Sequence, residues 1–270
     1  MPELPEVETT RRGLAPFVVT AEIARLTVRD ARLRWPIEPE IRRKVQGRRI
    51  TALRRRGKYL LLELDEGCLL IHLGMSGSLR YLPQAESIGK HDHFDIELVG
   101  GALLRYNDPR RFGSLHLTGE PQSHPLLREL GPEPLDADFS GDYLWQKSRG
   151  RRTAIKQFIM NGHVVVGVGN IYANEALYRA GIHPARHAGR ISRQRLQRLR
   201  DEIRAVLEDA LRSGGTTLRD FVGGDGRPGY FRQSLAVYER EGEPCLRSGH
   251  AIKRRVIGQR ASYYCPGCQR

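Results

Sequence analysis

Residues 59–73 have the sequence YLLLELDEGCLLIHL, in which a charged turn separates two short apolar runs, Tyr59–Leu64 and Leu69–Leu73. Short runs of this kind, bounded by glycine, proline and charged residues, are typical of β-strands. The same pattern continues from about Ala21 to Leu117 without a long helical period. Because the predicted strands follow one another without crossover helices, the sequence predicts an antiparallel β-sandwich. Five or more strands are predicted, and further examples are Ile23–Val28, Phe94–Val99 and Leu103–Tyr106.

The composition indicates a basic protein with a polyanionic partner. The 270-residue chain has a formal net charge of +14, from 45 Lys and Arg against 31 Asp and Glu. Such an excess favours nucleic acid as the partner. No stretch approaches the roughly 20 apolar residues of a membrane span, and the N-terminus lacks the residue order of a signal peptide. The sequence therefore predicts a cytoplasmic protein without a membrane segment.

The first residues, Met1-Pro2-Glu3-Leu4-Pro5-Glu6, contain the elements of a catalytic terminus. Removal of Met1 would leave Pro2 with a secondary amine, which can attack an aldehyde carbon and form an iminium. An α-amino group titrates at about pH 8, so a useful fraction is unprotonated at neutrality. Glu3 is adjacent and suits proton transfer. The alternative is that Pro2 is an ordinary terminal residue and that Pro5 merely begins a helix. A helix is predicted over residues 2–17, with Pro5 in its first turn.

The second half of the chain has a helical period. A connection with prolines and glycines, Gly119–Gly141, precedes it. Apolar spacing then predicts helices, including a long amphipathic one over Leu196–Leu211. A glycine-rich loop at 216–229 and a basic, hairpin-like tail follow. The predicted domains are residues 2–118, 119–235 and 236–270.

Three of the four cysteines lie in the last 26 residues and suggest a metal site. The fourth, Cys68, lies in an apolar run, where a buried and inert thiol is expected. The tail contains two zinc-type knuckles, but Ser248 replaces the second thiol of the first knuckle. Because a serine hydroxyl is a poor zinc ligand at neutral pH, His250 is the predicted fourth ligand. A metal-free hairpin is the alternative to one structural Zn²⁺ held by Cys245, Cys265, Cys268 and His250.

Two further segments suit contacts with phosphates. Residues 253–260 carry four cations, ending in Arg260, and could present them to a nucleic acid; a solvated basic surface is the alternative. The segment Gly167-Val168-Gly169-Asn170 precedes a predicted helix, whose first amides favour a negative charge. Asn170 could cap that helix or donate to the same phosphate.

Two segments of the β region place bulky apolar residues among glycines. Met75 lies in His72–Gly77, and Phe112 lies in Asn107–Gly113 with Arg110 nearby. Apolar wedges with an arginine fit enzymes that extrude a nucleotide from the duplex. The alternative is that Met75 and Phe112 are core residues.

Together these segments resemble the bacterial formamidopyrimidine-DNA glycosylase family, also called 8-oxoguanine DNA glycosylase, over essentially the whole chain. The resemblance implies an α+β multidomain fold: an N-terminal antiparallel β-sandwich with an N-terminal helix, a helix–two-turn–helix domain and a C-terminal zinc-finger-like β-hairpin. It also implies a monomer on the bacterial nucleoid that repairs damaged double-stranded DNA as a glycosylase and lyase. The stretches that carry it are Pro2–Glu8, Gly57–Leu60, His72–Leu79, Lys90–His93, Asn107–Gly113, Gly167–Tyr172 and the cysteine-bearing tail.

The resemblance implies a role for each matching position. Pro2 would attack C1′ of the damaged nucleotide, and Glu3 would move protons at the sugar. Lys58 would be the proton donor for β-elimination, and Arg260 the donor for δ-elimination. Gly224, in the 216–229 loop, would close over the flipped base. The implied DNA contacts are His91, Arg110, Arg151 and Asn170, with Met75, Arg110 and Phe112 filling the vacated space.

Two other functions are compatible with this sequence. The related endonuclease VIII shares the proline nucleophile but prefers oxidised pyrimidines; Leu4 and the three void-filling residues favour the purine enzyme. A catalytically silent protein that binds damaged DNA is disfavoured by the intact catalytic residues. Two positions depart from the family pattern. Ser248 breaks the four-cysteine finger, and Arg219 replaces a lysine while keeping its charge.

Overall fold

The computed structural model describes residues 2–214 and 235–270. Within these residues the chain divides into two compact units, one of residues 2–128 with 213–214 and one of Glu129–Arg212 with 235–270. The loop predicted at 216–229, with Arg219 and Gly224, lies outside the described residues. The division into three domains stays a prediction.

The first unit is an antiparallel β-sandwich with a helix at its start, which confirms the predicted fold class. Its two four-stranded sheets have the orders β1-β6-β7-β5 and β2-β3-β4-β8, and all neighbouring strands are antiparallel. A 3₁₀ turn, Pro121–Ser123, follows them. The elements are α1 (Leu4–Val18), β1 (Ile23–Val28), α2 (Ile41–Val45), β2 (Ile50–Arg56), β3 (Tyr59–Leu64), β4 (Cys68–His72), β5 (Ser78–Leu82), β6 (Asp92–Leu98), β7 (Leu103–Asn107) and β8 (Ser114–Thr118).

The hydrophobic core of the first unit draws on both sheets and on α1. Leu60 and Leu62 of β3 are fully buried in it, together with Val7 and Leu14 of α1. Phe94 stacks on a neighbouring tyrosine of β7 at a centroid distance of 4.6 Å. Because a shift of one residue would turn these side chains to the opposite face, their burial specifies the strand register.

Cys68 has the predicted inert environment. Its side chain is buried at the start of β4, and burial together with the nearby Glu63 carboxylate raises the pKa of the thiol to about 12. The thiolate that reactive cysteines require is therefore suppressed.

The second unit consists of helices and a β-hairpin, as the sequence predicts. In α6 the buried positions follow helical spacing, from Leu196 through Leu199 and Ile203 to Leu207. Helices α3 and α5 pack against α6, and β10 packs against α5. In the described part of the chain, no helix has the length and apolar character needed to cross a membrane. The elements are α3 (Gly141–Ser148), α4 (Ile155–Met160), α5 (Asn170–Ala180), a 3₁₀ turn (Ala188–Arg190), α6 (Arg193–Arg212), β9 (Lys253–Ile257) and β10 (Arg260–Tyr264).

Candidate active site and metal centre

The predicted catalytic terminus lies at the beginning of α1. Pro2 and Glu3 are both buried, and Glu3 is the N-cap residue with an extended backbone. A reciprocal capping box closes this end of the helix. The Glu3 carboxylate accepts from the Glu6 amide, and the Glu6 carboxylate accepts from the Glu3 amide at 2.8 Å. The capping box therefore holds the backbone next to Pro2 in one conformation.

A chain of ion pairs and hydrogen bonds connects α1 to the turn that carries Lys58. The Glu8 carboxylate accepts from two arginines of its own helix and from Arg55 of β2 at 3.2 Å. Burial tends to raise the pKa of Glu8, but the arginines outweigh it and lower the pKa below its usual value. Arg55 also donates to the carbonyl oxygen of Gly57 at 3.1 Å. Since Gly57 and Lys58 form the turn between β2 and β3, Arg55 joins this turn to the helix.

His72 is a neutral neighbour of Lys58 that the sequence did not mark as a site residue. Burial, together with the charges of Lys58 and Arg34, lowers the pKa of His72 to about 4. Its Nδ1 accepts from the Gly74 amide at 2.9 Å, so the neutral ring carries its proton on Nε2. The ring thus brings no positive charge beside the Lys58 ammonium at neutral pH.

The depressed pKa of His72 predicts a loss of stability in mild acid. Because the folded pKa is about 4 against an ordinary 6.5, the unfolded chain takes up a proton first as the pH falls. This histidine's contribution is present above pH 6.5 and is lost towards pH 4. Lowering the pH from 7.5 to 5 should therefore reduce the free energy of unfolding by about 2 kcal/mol through His72. Urea denaturation at both pH values should show a smaller loss for His72→Asn, whose side-chain oxygen can accept from Gly74. An identical pH dependence for both proteins would contradict this prediction.

Asp108 organises the two loops that carry the predicted void-filling residues. Asp108 belongs to the loop of residues 107–113, is fully buried and contacts the loop of residues 73–77. Its amide donates to the His91 carbonyl at 3.0 Å. A buried carboxylate is stable only when its oxygens are hydrogen-bonded. The Asp108 carboxylate accepts from Ser76 Oγ at 3.1 Å, Tyr106 Oη at 3.3 Å, the Arg110 amide at 3.2 Å and the Gly113 amide at 2.9 Å.

The predicted void-filling residues project from these two loops. Met75 is half-buried, whereas Arg110 and Phe112 are exposed. The Arg110 guanidinium lies 5.0 Å from the centre of the Phe112 ring, within the range of a cation–π contact. The exposure of Phe112, at 44%, disagrees with the alternative that it is a core residue. The first unit therefore places four of the predicted DNA contacts on neighbouring loops: Met75, His91, Arg110 and Phe112.

Replacing the Asp108 carboxylate by an amide should destabilise the fold. In Asp108→Asn one acceptor oxygen becomes a donor that faces the donors of both loops. Bonds to charged groups are worth about 1.5–3 kcal/mol each, so the free energy of unfolding should fall by about 2–4 kcal/mol. Chemical denaturation measures this loss. Asp65→Asn, at a position that is exposed, is the matched control and should change it by less than about 0.5 kcal/mol. A loss no larger than that of the control would exclude the organising role.

In the second unit, α5 and β10 hold Asn170 and Arg260 in one framework. Asn170 begins α5, and its side-chain oxygen is buried without a hydrogen-bond partner among the described residues. Because an asparagine amide can be flipped, this position can present either a donor or an acceptor to a ligand. One turn later, the Asn174 side-chain oxygen accepts from the Tyr263 amide at 2.7 Å. This bond links α5 to β10, whose first residue is the exposed Arg260.

Lys156 is a second residue that supports the Arg260 strand. It is fully buried, and its Nζ donates to the Ala261 carbonyl and to Ser262 Oγ, both at 2.7 Å. A buried ammonium needs such partners, because desolvation otherwise disfavours its charge. The strand is therefore fixed immediately next to Arg260. Arg151, another predicted DNA contact, is exposed in the segment before α4.

Three cysteines form a cluster that can hold a metal ion. The Sγ atoms of Cys245, Cys265 and Cys268 all lie within 4.8 Å of one another, and those of Cys245 and Cys268 are 3.7 Å apart. A tetrahedral zinc ion with Zn–S bonds of about 2.3 Å has sulfurs about 3.8 Å apart, so the thiols fit Zn²⁺. Among the described residues His250 does not belong to this cluster. Its role as the fourth ligand stays a prediction, while Ser248 Oγ lies 3.2 Å from the Cys265 sulfur.

Helix α5 also supports the metal centre. Tyr178 Oη lies 3.3 Å from the Cys245 sulfur, and although burial opposes ionisation, hydrogen bonds from Tyr178, Ser248 and nearby amides lower the pKa of this thiol. The buried Glu175 carboxylate accepts from three successive amides, 236–238, at 2.9–3.0 Å. The helix that begins with Asn170 thus holds the segment leading into the first knuckle.

Comparison with known proteins shows similarity over the whole chain. The family profile described as the formamidopyrimidine-DNA glycosylase N-terminal domain matches residues 1–115, and the profile of the H2TH domain of the same glycosylase matches residues 130–222. The formamidopyrimidine-DNA glycosylase of Methylococcus capsulatus is 58% identical over 271 residues, with both chains fully covered.

Two solved structures of Lactococcus lactis Fpg have similar folds. The complex with Fapy-dG-containing DNA has a TM-score of 0.91 and 32% identity, and covers 99% of this chain and 100% of that one. The complex with DNA containing an abasic site has a TM-score of 0.91 and 33% identity, and covers 99% of both chains.

Proposed function

Because the chain belongs to the formamidopyrimidine-DNA glycosylase family, we propose that it removes oxidised purines from duplex DNA and then cuts the strand at the resulting site. Membership makes it a DNA glycosylase of DNA repair. The lesion class, which comprises 8-oxoguanine and formamidopyrimidines, and the lyase step are the parts that we propose. We also propose that it acts as a monomer on the nucleoid of a bacterial cytoplasm.

In the proposed reaction Pro2 is the nucleophile. After removal of Met1, its secondary amine attacks C1′ of the damaged nucleotide, the glycosidic bond breaks, and the base leaves with the bonding electrons and a proton. The sugar ring then opens: the C1′–O4′ bond breaks, O4′ takes up a proton, and the Pro2 nitrogen, having lost its own proton, forms an iminium with C1′. This iminium acidifies the C2′ proton. Loss of that proton expels the 3′ phosphate by β-elimination, and a second, δ-elimination expels the 5′ phosphate. The products are a one-nucleotide gap and a sugar fragment that hydrolysis releases from Pro2.

Three other residues have proposed proton-transfer roles. Glu3 moves protons at the sugar, Lys58 donates for β-elimination, and Arg260 donates for δ-elimination. The observation that carries the assignment is the chain of contacts in the first unit: the capped start of α1 carries Pro2 and Glu3, and Glu8 and Arg55 link that helix to the turn of Lys58. Several cations suit this chemistry, because the transition states lie among phosphates.

The remaining residues bind and open the duplex in this proposal. Arg110 and its neighbours Met75 and Phe112 occupy the space left by the extruded nucleotide, and the exposed Phe112 ring supports this assignment. Asn170 lies at the start of α5, and its buried side-chain oxygen has no hydrogen-bond partner among the described residues. This supports a phosphate contact at Asn170, and Arg260 binds the same phosphate in this proposal. His91 and Arg151 contribute further contacts to DNA.

We propose Zn²⁺ as the ion of the cysteine cluster. When bound, it supplies a structural cross-link between the two knuckles and takes no part in the bond changes at the sugar. Residues Cys245, Cys265 and Cys268 hold it, and by joining both ends of the β9–β10 hairpin they stabilise the strand that presents Arg260.

Cleavage of defined duplexes tests the proposed function. Duplexes that carry 8-oxoguanine opposite cytosine, thymine glycol, or no lesion are incubated with the full chain, and strand cleavage and borohydride-trapped adducts are quantified. We expect the 8-oxoguanine duplex to be cut fastest, with phosphates on both sides of the gap. Faster cutting of thymine glycol would indicate the endonuclease VIII preference instead. Binding of the lesion without base release or an adduct would indicate a silent damage-binding protein.

A further inference from the structure

We propose that the metal centre of this chain is a three-thiolate site whose fourth ligand is the oxygen of Ser248, with His250 hydrogen-bonded to that oxygen rather than bound to the metal. This chain departs from two complete Cys-x-x-Cys knuckles at Ser248. The contacts of Ser248, His250 and Gly267 support the assignment.

The Ser248 oxygen lies beside the cysteine cluster, where a fourth ligand would complete a tetrahedral site. A tetrahedral vertex adjoins all three of the others. Ser248 Oγ lies 3.2 Å from the Cys265 sulfur, and it lies near the thiols of Cys245 and Cys268. A zinc–oxygen bond is shorter than a zinc–sulfur bond by about 0.1–0.3 Å, so an oxygen ligand lies nearer its neighbouring sulfurs than a fourth thiolate would.

His250 is placed to support this oxygen. Its Nδ1 lies 3.2 Å from Ser248 Oγ and 3.2 Å from the Ser248 carbonyl oxygen. Because a carbonyl oxygen can only accept, the Nδ1 atom that contacts both oxygens carries a proton. Its donation to the Ser248 oxygen stabilises the negative charge that develops on this oxygen as it binds a metal. Such outer hydrogen bonds typically change metal affinity by about 10–100-fold.

The second knuckle leaves space for the imidazole. A Cβ added to Gly267 would come within 2.7 Å of His250 Nδ1, closer than any real side chain approaches. A residue with a side chain at 267 would therefore displace the ring from Ser248. Ser248, His250 and Gly267 form one combination, in which the serine replaces a thiolate, the histidine supports its oxygen and the glycine admits the histidine.

With an oxygen ligand, zinc binding should be weaker and the bound ion should exchange more readily. Zinc in a structural site favours thiolate over a neutral hydroxyl. Ser248 and His250 are also exposed, so a chelator has access to this side of the ion. The knuckles keep other contacts without the ion, since Cys245 and Cys265 pack with Tyr178, Val237 and Ile252 in a small apolar cluster. The hairpin should therefore retain its fold at metal concentrations that leave the site partly filled.

Metal binding to the full chain tests this assignment without reference to DNA cleavage. Cobalt(II) replaces zinc as an optical probe, and zinc affinity is measured by competition with a chromophoric chelator. The proteins compared are the unaltered chain, Ser248→Cys, Ser248→Ala and His250→Ala, with circular dichroism as the check of folding. A failure of this proposal is distinguishable from a failure of the proposed function, because neither readout uses DNA.

The expected results separate the possible ligand sets. Ser248→Cys should raise the thiolate-to-cobalt charge-transfer absorbance by about one third, from three thiolates to four, and should strengthen zinc binding by about tenfold or more. Ser248→Ala should weaken zinc binding and change the cobalt d–d bands. His250→Ala should weaken zinc binding by about tenfold while leaving the position of those bands unchanged.

Two results would overturn the proposal. The first is a d–d spectrum that changes in His250→Ala but not in Ser248→Ala, which would make the imidazole the fourth ligand. The second is unchanged zinc affinity and an unchanged spectrum in Ser248→Ala, which would remove Ser248 from the site. Both results depend only on the alanine variants, so the test stands even if Ser248→Cys does not fold.

Discussion

A form of the protein whose terminal nitrogen is blocked, for example by an unprocessed N-terminal extension, should form no borohydride-trapped adduct with lesion DNA. An amide nitrogen has no basic lone pair, so it cannot attack C1′, and both base release and strand cleavage lose their covalent route. We expect strand cleavage to fall by roughly 10³-fold or more. Single-turnover cleavage of an 8-oxoguanine duplex measures the loss. The same extension placed at the C-terminus is the control for its bulk.

Substitution of the nucleophile provides a graded version of this test. Pro2→Gly keeps a terminal amine but makes it primary, so trapping and base release should be weakened rather than abolished. The expected order of trapped adduct is the unaltered chain, then Pro2→Gly, then the blocked form. Equal trapping by the blocked form and the unaltered chain would show that another amine, such as that of Lys58, makes the covalent bond.

Glu3→Gln should abolish most base release while leaving α1 intact. The glutamine oxygen can still accept from the Glu6 amide, so the capping box survives, but the side chain can no longer donate and accept a proton at the sugar. General acid–base catalysis contributes about 10²–10⁴-fold, and we expect a loss of that size in the single-turnover rate of base release. The melting temperature of the variant, measured in parallel, should stay close to that of the unaltered chain.

Glu6→Gln is the matched control for Glu3→Gln. Glu6 is also buried, lies three residues along the same helix and accepts from the Glu3 amide at 2.8 Å, which a glutamine oxygen can replace. Its proposed role is structural, so base release should change by less than about tenfold. Equal losses in the two variants would assign the effect to the helix cap and would exclude proton transfer by Glu3.

The β-sandwich could be predicted because β3 and β4 each bury at least three successive apolar residues, which stand out in the sequence as short apolar runs. Tyr59–Leu64 has the predicted bounds, and Cys68–His72 differs from the predicted strand by one residue at each end. Strand β2 was missed for a physical reason: a register shift between Ile50 and Ala52 interrupts its alternation, and three arginines end it. The five-residue helix α2 is too short for a helical periodic signal, and packing against β1 stabilises it.

The sequence was sufficient to propose a chemistry for the terminus, whereas it did not indicate the buried residues that support the loops of the first unit, the Arg260 strand and the first knuckle. Proline followed by glutamate at a terminus is a local signal. The burial of Asp108, Lys156 and Glu175 depends on contacts with residues that are distant in sequence, and nothing in the chain distinguishes them from exposed charges of the same type. His72 lay within a quoted motif, but its lowered pKa results from burial and from Lys58, which only the fold brings near.

The most direct test of the account is mass spectrometry of the borohydride-trapped complex after proteolysis. If Pro2 is the nucleophile, the adduct mass is found on the peptide that begins with Pro2, fragmentation places it on the terminal nitrogen, and Met1 is absent. An adduct on Lys58 or another lysine, or a trapped protein that retains Met1, would contradict it.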